Sequence, residues 1–145
     1  MITAGEDKYI KMWNVKKMQE AGSCRAKAPI CAIALSLDNE YLMSCSTDHR
    51  ATIYKIRGNL RTHHSFSAHT DLITSTKFSF STKQVLTASL DGCLKFWDIG
   101  SSNINRSINT YSKIFDMHLS RSESGIVTGH NDCSIKYWTA KTRAV

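Results

Sequence analysis

The chain reads as a succession of short strands. Over 84–90, Val85, Thr87 and Ser89 alternate with Leu86, Ala88 and Leu90, the period of a pleated strand. Asp91-Gly92 follows, a strong hairpin-turn dipeptide, and 93–97 reads as a second strand closed by Trp97 and Asp98. The same strand–turn–strand unit is predicted over 2–5 and 9–13, over 41–46 and 51–56, and over 125–129 and 133–138. Further strands over 30–35, 72–80 and 113–119 precede three of these hairpins, and weaker, more polar ones over 15–24, 60–67 and 104–111 follow. In 30–35, Ile30, Ala32 and Ala34 alternate with Cys31, Ile33 and Leu35, so both faces are apolar. That pattern predicts an inner strand sandwiched between neighbouring sheets. The single proline, Pro29, falls in the connector 25–29, where its missing ladder donor does no harm. No segment carries the period of a helix.

The hairpins share a register. Asp7 precedes Trp13 by six residues, Asp91 precedes Trp97 by six, and Asp132 precedes Trp138 by six. Asp48 precedes Tyr54 by the same interval, and the four aspartates lie 41, 43 and 41 apart. A period of about 40–45 residues with strand–turn–strand content marks a propeller array. On these residues the chain resembles WD-repeat β-propellers, over nearly its whole length. The resemblance implies an all-β, incomplete WD-repeat β-propeller of antiparallel four-stranded blades. About 3.5–4 blades are expected here, of about seven in a whole ring. Their approximate spans are 1–24, lacking the inner strand, then 25–67, 68–111 and 112–145. Four turns allow four blades at most, so an open arc is expected rather than a closed four-bladed ring. Its ends should leave apolar flanks uncovered, Met1 and Ile10 at one and Ile126, Val127 and Ile135 at the other. Uncapped repeat arrays dock on something or aggregate. The expectation is therefore a fragment of a longer chain, a truncated gene model or a half that self-associates.

The resemblance also implies a hydrogen-bonded group in each blade. His69, before the inner strand, is expected to bond Asp91, and the hydroxyl of Thr87 or Ser89 to bridge the imidazole and the Trp97 indole. Buried without partners, each ring N–H would cost about 1–3 kcal/mol. The group is thus read as a structural lock and not as a catalytic triad. Counting 22 residues back from Asp48 and Asp132 gives Ala26 and Thr110, so only one blade is expected to hold the full set. In the other copies the aspartate is expected to bind turn amides or face water. His130, two residues before Asp132, is read as packed or partly exposed in preference to metal-binding. His63 and His64 lack the spacing of a metal site.

Composition narrows the function. No nucleophile, carboxylate pair or phosphate loop stands out, so no enzyme, small-molecule substrate or cofactor is indicated. Five scattered cysteines without a Cys-x-x-Cys pair read as free thiols, in keeping with a cytoplasmic location. No run reaches the ~18 apolar residues of a membrane span. A net charge of +7 permits nucleic-acid or anionic-lipid contact, but the basic residues are dispersed, which favours protein partners. The b–c turns and d–a connectors should converge on one rim, placing Glu6, Lys8, Thr47, His49, Arg50, Asp71, Leu90 and Asn131 on a partner-binding face.

Several stretches are similar to the opening blades of the autophagy-related protein 16 family: 2–8 (ITAGEDK), 42–48 (LMSCSTD), 69–78 (HTDLITSTKF), 94–98 (LKFWD) and 126–132 (IVTGHND). Thr139 departs from that pattern, which has Asp there. The resemblance implies a non-catalytic scaffold that supports autophagosome formation and recruitment of the ubiquitin-like conjugation machinery. The alternative is a generic WD-repeat adaptor of a ubiquitin ligase, signalling or RNA-processing complex.

Overall fold

A computed structural model describes residues 1–57, 59–81, 83–120 and 124–139. They form four antiparallel sheets, with no helix among the described residues. The first holds β1 (Ile2–Ala4), β2 (Tyr9–Asn14) and β3 (Gln19–Arg25). The second holds β4 (Ile30–Leu35), β5 (Tyr41–Ser46), β6 (Arg50–Lys55) and β7 (Arg61–Ser67). The third holds β8 (Ile73–Phe78), β9 (Gln84–Ser89), β10 (Cys93–Asp98) and β11 (Ile104–Asn109). The fourth holds β12 (Ile114–Leu119), β13 (Gly125–His130) and β14 (Ile135–Thr139). Each sheet is ordered as in the sequence, so each is a meander of hairpins. The innermost strands meet in succession, β1 with β4, β4 with β8 and β8 with β12. Among the described residues no continuous interface joins the first sheet to the fourth. The architecture is an incomplete β-propeller.

Three apolar clusters lie between the sheets. Ile10, Leu42 and Tyr54 pack between the first and second, Met43, Ile53, Val85 and Trp97 between the second and third, and Leu86, Leu94, Ile114 and Ile126 between the third and fourth. Strand alternation explains this division. Along β5, Leu42 faces one neighbour while Met43 and Cys45 face the other; along β9, Val85 and Leu86 divide in the same way.

Two expectations are corrected here. The fully sandwiched strands are the second ones, β5 and β9, and not the inner 30–35, where Cys31 and Leu35 are exposed. An inner strand is hydrogen-bonded along one edge only, whereas β5 and β9 are paired on both edges and covered on both faces. The uncovered flanks also differ. Ile10 and Ile126 point inward and are buried, while Met1, Val127 and Ile135 are exposed as expected. Side-chain parity decides it. Beyond Ile10, the outward face of β2 carries Tyr9, Lys11 and Trp13, and the outward face of the fourth sheet carries Phe115, Val127, Ile135 and Tyr137.

All four b–c turns are built alike. In the first three, the residue after the aspartate donates its N–H to a carbonyl three residues back: Lys8 to Gly5 (3.2 Å), His49 to Ser46 (3.1 Å) and Gly92 to Ser89 (3.2 Å). Lys8, His49, Gly92 and Cys133 occupy the left-handed region, with φ of 68°, 64°, 77° and 61°. Asp91 does not, so the turn is longer than a two-residue Asp-Gly hairpin and Gly92 alone takes the left-handed place. Only the third blade meets that demand with glycine.

Candidate functional site

The third blade carries one continuous chain of polar contacts. The Trp97 indole N–H donates to Thr87 Oγ1 (2.8 Å), and Thr87 donates to His69 Nε2 (2.7 Å). His69 Nδ1–H then donates to Asp91 Oδ2 (2.8 Å). Carboxylate at one end and indole at the other assign the imidazole tautomer between them. Trp97 sits opposite Val85 in the ladder, so its ring crosses diagonally to reach Thr87. Asp91 also accepts the amides of Cys93 (2.8 Å) and Thr70 (3.2 Å), tying turn to connector. Ser89 is not the bridge. Its hydroxyl donates to Asp71 O and accepts the Asp91 amide (both 3.1 Å).

Burial raises the Asp91 carboxyl, but the hydrogen bond and favourable electrostatics of His69, with the Cys93 and Thr70 amides, outweigh it and hold the group well below the usual carboxylate range. The sign follows. A folded-state value below the unfolded one gives stability above the ordinary carboxylate range, lost as pH falls through the acid range. We expect the melting temperature to drop steeply below about pH 5. Asp98, held down by the Ser101 amide, and Asp132, held down by the Ser134 hydroxyl, are lowered as well. Asp91→Asn isolates the lock, and should start lower at neutral pH and show a shallower acid slope. An unchanged slope would remove Asp91 from the account.

The fourth blade has its own imidazole, His130, which the sequence reads as packed or partly exposed and which the structure buries in a hydrogen-bonded chain. Trp138 Nε1–H donates to Thr128 Oγ1 (2.8 Å), and Thr128 meets His130 Nε2 (2.7 Å). His130 Nδ1–H reaches Ser112 Oγ (2.8 Å) in the connector. The ring that comes from the connector in the third blade here comes from the second strand, two residues after the hydroxyl. The fourth blade thus holds an indole–hydroxyl–imidazole chain that ends on Ser112 and not on an aspartate. His130→Ala should cost about 1–3 kcal/mol in urea unfolding, as a buried hydroxyl and indole lose their terminus. A loss near zero would reduce His130 to filler.

Two further elements recur. The acceptor four residues before the turn aspartate is Thr3, Ser44, Thr87 or Thr128. Trp13 donates to Thr3 (2.9 Å), and the Tyr54 phenol meets the hydroxyls of Ser44 and Thr52. In the third and fourth blades the lysine two residues before the tryptophan closes the connector. Lys95 Nζ donates to Ala68 O (2.7 Å), and Lys136 Nζ to Thr110 O (2.8 Å). The Lys-x-Trp pattern at 11–13, 95–97 and 136–138 was its visible signal. In the other turns Asp7, Asp48 and Asp132 accept the amides of Tyr9, Arg50 and Ser134. Among the described residues no cluster of His, Cys, Asp or Glu could hold a metal.

The turns and connectors share one rim. Ala26 N–H donates to Lys8 O (2.8 Å), Ala68 to His49 O (3.1 Å), Thr110 to Gly92 O (2.8 Å) and Asn131 to Lys113 O (3.1 Å). Of the eight rim residues, Glu6, Thr47 and Asn131 are exposed and the others half-buried. Three work within the fold: Arg50 donates to Ser65, Asp71 accepts the Leu72 amide and Asn131 accepts the Lys113 amide. His49 Nδ1 is buried without a partner among the described residues. Glu6, Lys8, Thr47 and Leu90 hold none of the described side-chain hydrogen bonds.

Antiparallel blades meeting in succession, three of them pinned by an indole–hydroxyl pair, define a β-propeller repeat protein. The chain belongs to the WD domain, G-beta repeat family, whose pattern matches residues 19–55 and 60–98. It is 27% identical over 140 residues to Protein tipD of Dictyostelium discoideum, covering 95% of this chain and 22% of that protein. It is 23% identical over 144 residues to Autophagy-related protein 16 of Arabidopsis thaliana, covering 98% of this chain and 28% of that protein. The E3 ubiquitin-protein ligase COP1 of Arabidopsis thaliana is 26% identical over 100 residues, covering 68% of this chain and 15% of that protein. The chain thus spans about a quarter of the length of the first two. No helix is long and apolar enough to cross a membrane among the described residues.

Proposed function

We propose that this chain is part of the interaction platform of an autophagy 16-type scaffold, non-catalytic and cytoplasmic, which recruits proteins to autophagosome formation. One observation carries the reading. The match to the Arabidopsis autophagy protein covers 98% of the chain, including the first hairpin and the fourth blade, which lie outside the family pattern. The locks support the absence of catalysis, because their polar atoms are spent on one another. Partners meet the rim formed by Glu6, Lys8, Thr47, His49, Arg50, Asp71, Leu90 and Asn131. The uncovered row Phe115, Val127, Ile135 and Tyr137 supports a second protein surface there, a second copy of the chain included. A ubiquitin-ligase adaptor is the other reading, favoured by the shorter match to COP1.

Affinity capture combined with gene disruption separates the two. The scaffold reading expects the ubiquitin-like conjugation enzymes among the captured proteins and fewer autophagosomes after disruption. A captured ubiquitin ligase with unchanged autophagosome numbers would replace it with the adaptor reading.

A further inference from the structure

In the third blade His69, Trp97 and Lys95 fill the space between the connector and strands β9 and β10. The second blade carries Ala26, Tyr54 and Thr52 at those three places. The connectors run alike, since Ala26 N–H donates to Lys8 O (2.8 Å) much as His69 N–H donates to His49 O (3.4 Å). Three large side chains are therefore replaced by smaller ones, and a cavity of about 360 Å³ opens between the first and second blades.

The cavity is polar and positive. Ser44, Ser46, Thr52 and Tyr54 line it with hydroxyls, and Arg25, Lys27 and Arg50 stand around it with one carboxylate, Asp48. Asp48 Oδ1 is engaged by Ser46 Oγ (2.6 Å) and the Arg50 amide (3.3 Å). Arg50 Nη2 donates to Ser65 O (3.2 Å) and Oγ (3.4 Å), which fixes the guanidinium along the wall. Its Nε and Nη1 have no partner among the described residues. We propose that this cavity binds phosphate, presented as a phosphomonoester on a serine or threonine of a partner protein. Guanidinium, ammonium and hydroxyl donors suit its three acceptor oxygens and its charge. The cavity opens beside the 48–50 turn, on the rim assigned to partners; only this choice of a protein as the source rests on the proposed function. No exposed aliphatic or aromatic side chain lines it that could enter a bilayer, since Tyr54 is itself buried.

The test titrates the full chain with inorganic phosphate, O-phospho-L-serine, serine, and phosphatidylcholine vesicles carrying a phosphatidylinositol phosphate. Backbone amide shifts are followed by NMR. Phosphate and phosphoserine should shift the amides of Ser46, Arg50 and Thr52, and serine should not. Arg50→Ala should weaken binding about tenfold, the loss of roughly one charge-assisted contact. Ala26→His should abolish binding and raise the melting temperature, because the new imidazole fills the cavity between Asp48 and Ser44. Should that variant not fold, Arg50→Ala and Lys27→Ala decide. The proposal is overturned by an absence of shifts with both phosphate probes, by shifts that survive Ala26→His, or by binding to the vesicles alone. None of these results touches partner capture, so the two proposals fail separately.

Discussion

Trp97→Ala is expected to lower the free energy of unfolding by about 3–5 kcal/mol, the range for truncating a buried large side chain. The indole is 3% exposed and packs on Phe66 with ring centroids 4.5 Å apart. It sits in the cluster that joins the second and third blades, so the cavity would open at a blade interface. The substitution also takes from Thr87 the indole donor that fixes its hydroxyl. Trp13→Ala provides the comparison. Trp13 has the same hydroxyl partner type, but its ring faces outward from the first sheet and is half-exposed. Its loss should stay near or below about 1 kcal/mol. Urea unfolding at constant m-value reads both. Equal losses at the two positions would mean that blade packing is not what the tryptophan supplies.

Thr87→Val is the second large effect, although it changes the volume little. It leaves His69 Nε2 and the Trp97 N–H buried and unpartnered, each worth about 1–3 kcal/mol. A total loss of about 2–6 kcal/mol is expected on that basis. Thr87→Ser keeps the hydroxyl and should restore most of it. Ser89→Ala should cost only about 1 kcal/mol, because that hydroxyl serves Asp71 and the Asp91 amide and not the lock. If Ser89→Ala proved the more damaging of the two, the bridge assigned to Thr87 would be wrong.

Much of this was legible in the sequence because the constraints are local or repeat. Asp-x5-Trp is fixed by hairpin geometry, and a period of 41–43 residues places the hairpins in one array. Strands 30–35 and 41–46 were read with their observed bounds, and 84–90 ran one residue past the observed Gln84–Ser89 because Leu90 continues the alternation into the turn. The third blade's lock followed from the family resemblance, down to the choice between Thr87 and Ser89. That choice was not legible, since both hydroxyls share one strand face and only the ring positions separate them. The place of His130 was not legible from the 22-residue spacing, which points to the connector and not to the second strand. Period-two alternation puts His130 on the face of Thr128, and a Thr128–Trp138 pair without its histidine was the signal. The inward turn of Ile10 and Ile126 was missed for a related reason. Which face of an end sheet meets its neighbour depends on tertiary contact, and the apolar content of the strand does not reveal it. The cavity at Ala26 is likewise an effect of three substitutions far apart in sequence that only folding brings together.

The locks hold the blades, and the rim is the surface proposed to bind partners. The direct measurement is affinity capture with a variant in which Glu6, Lys8, Thr47 and Leu90 are all alanine, alongside the unaltered chain, with the melting temperature of each recorded. These four side chains hold none of the described hydrogen bonds of the fold, so the melting temperature should stay within a few degrees, the shift of under about 1 kcal/mol for a domain of this size. The account predicts that the variant keeps its fold and loses the partners that the unaltered chain captures. Full retention of every partner by a folded variant would contradict it.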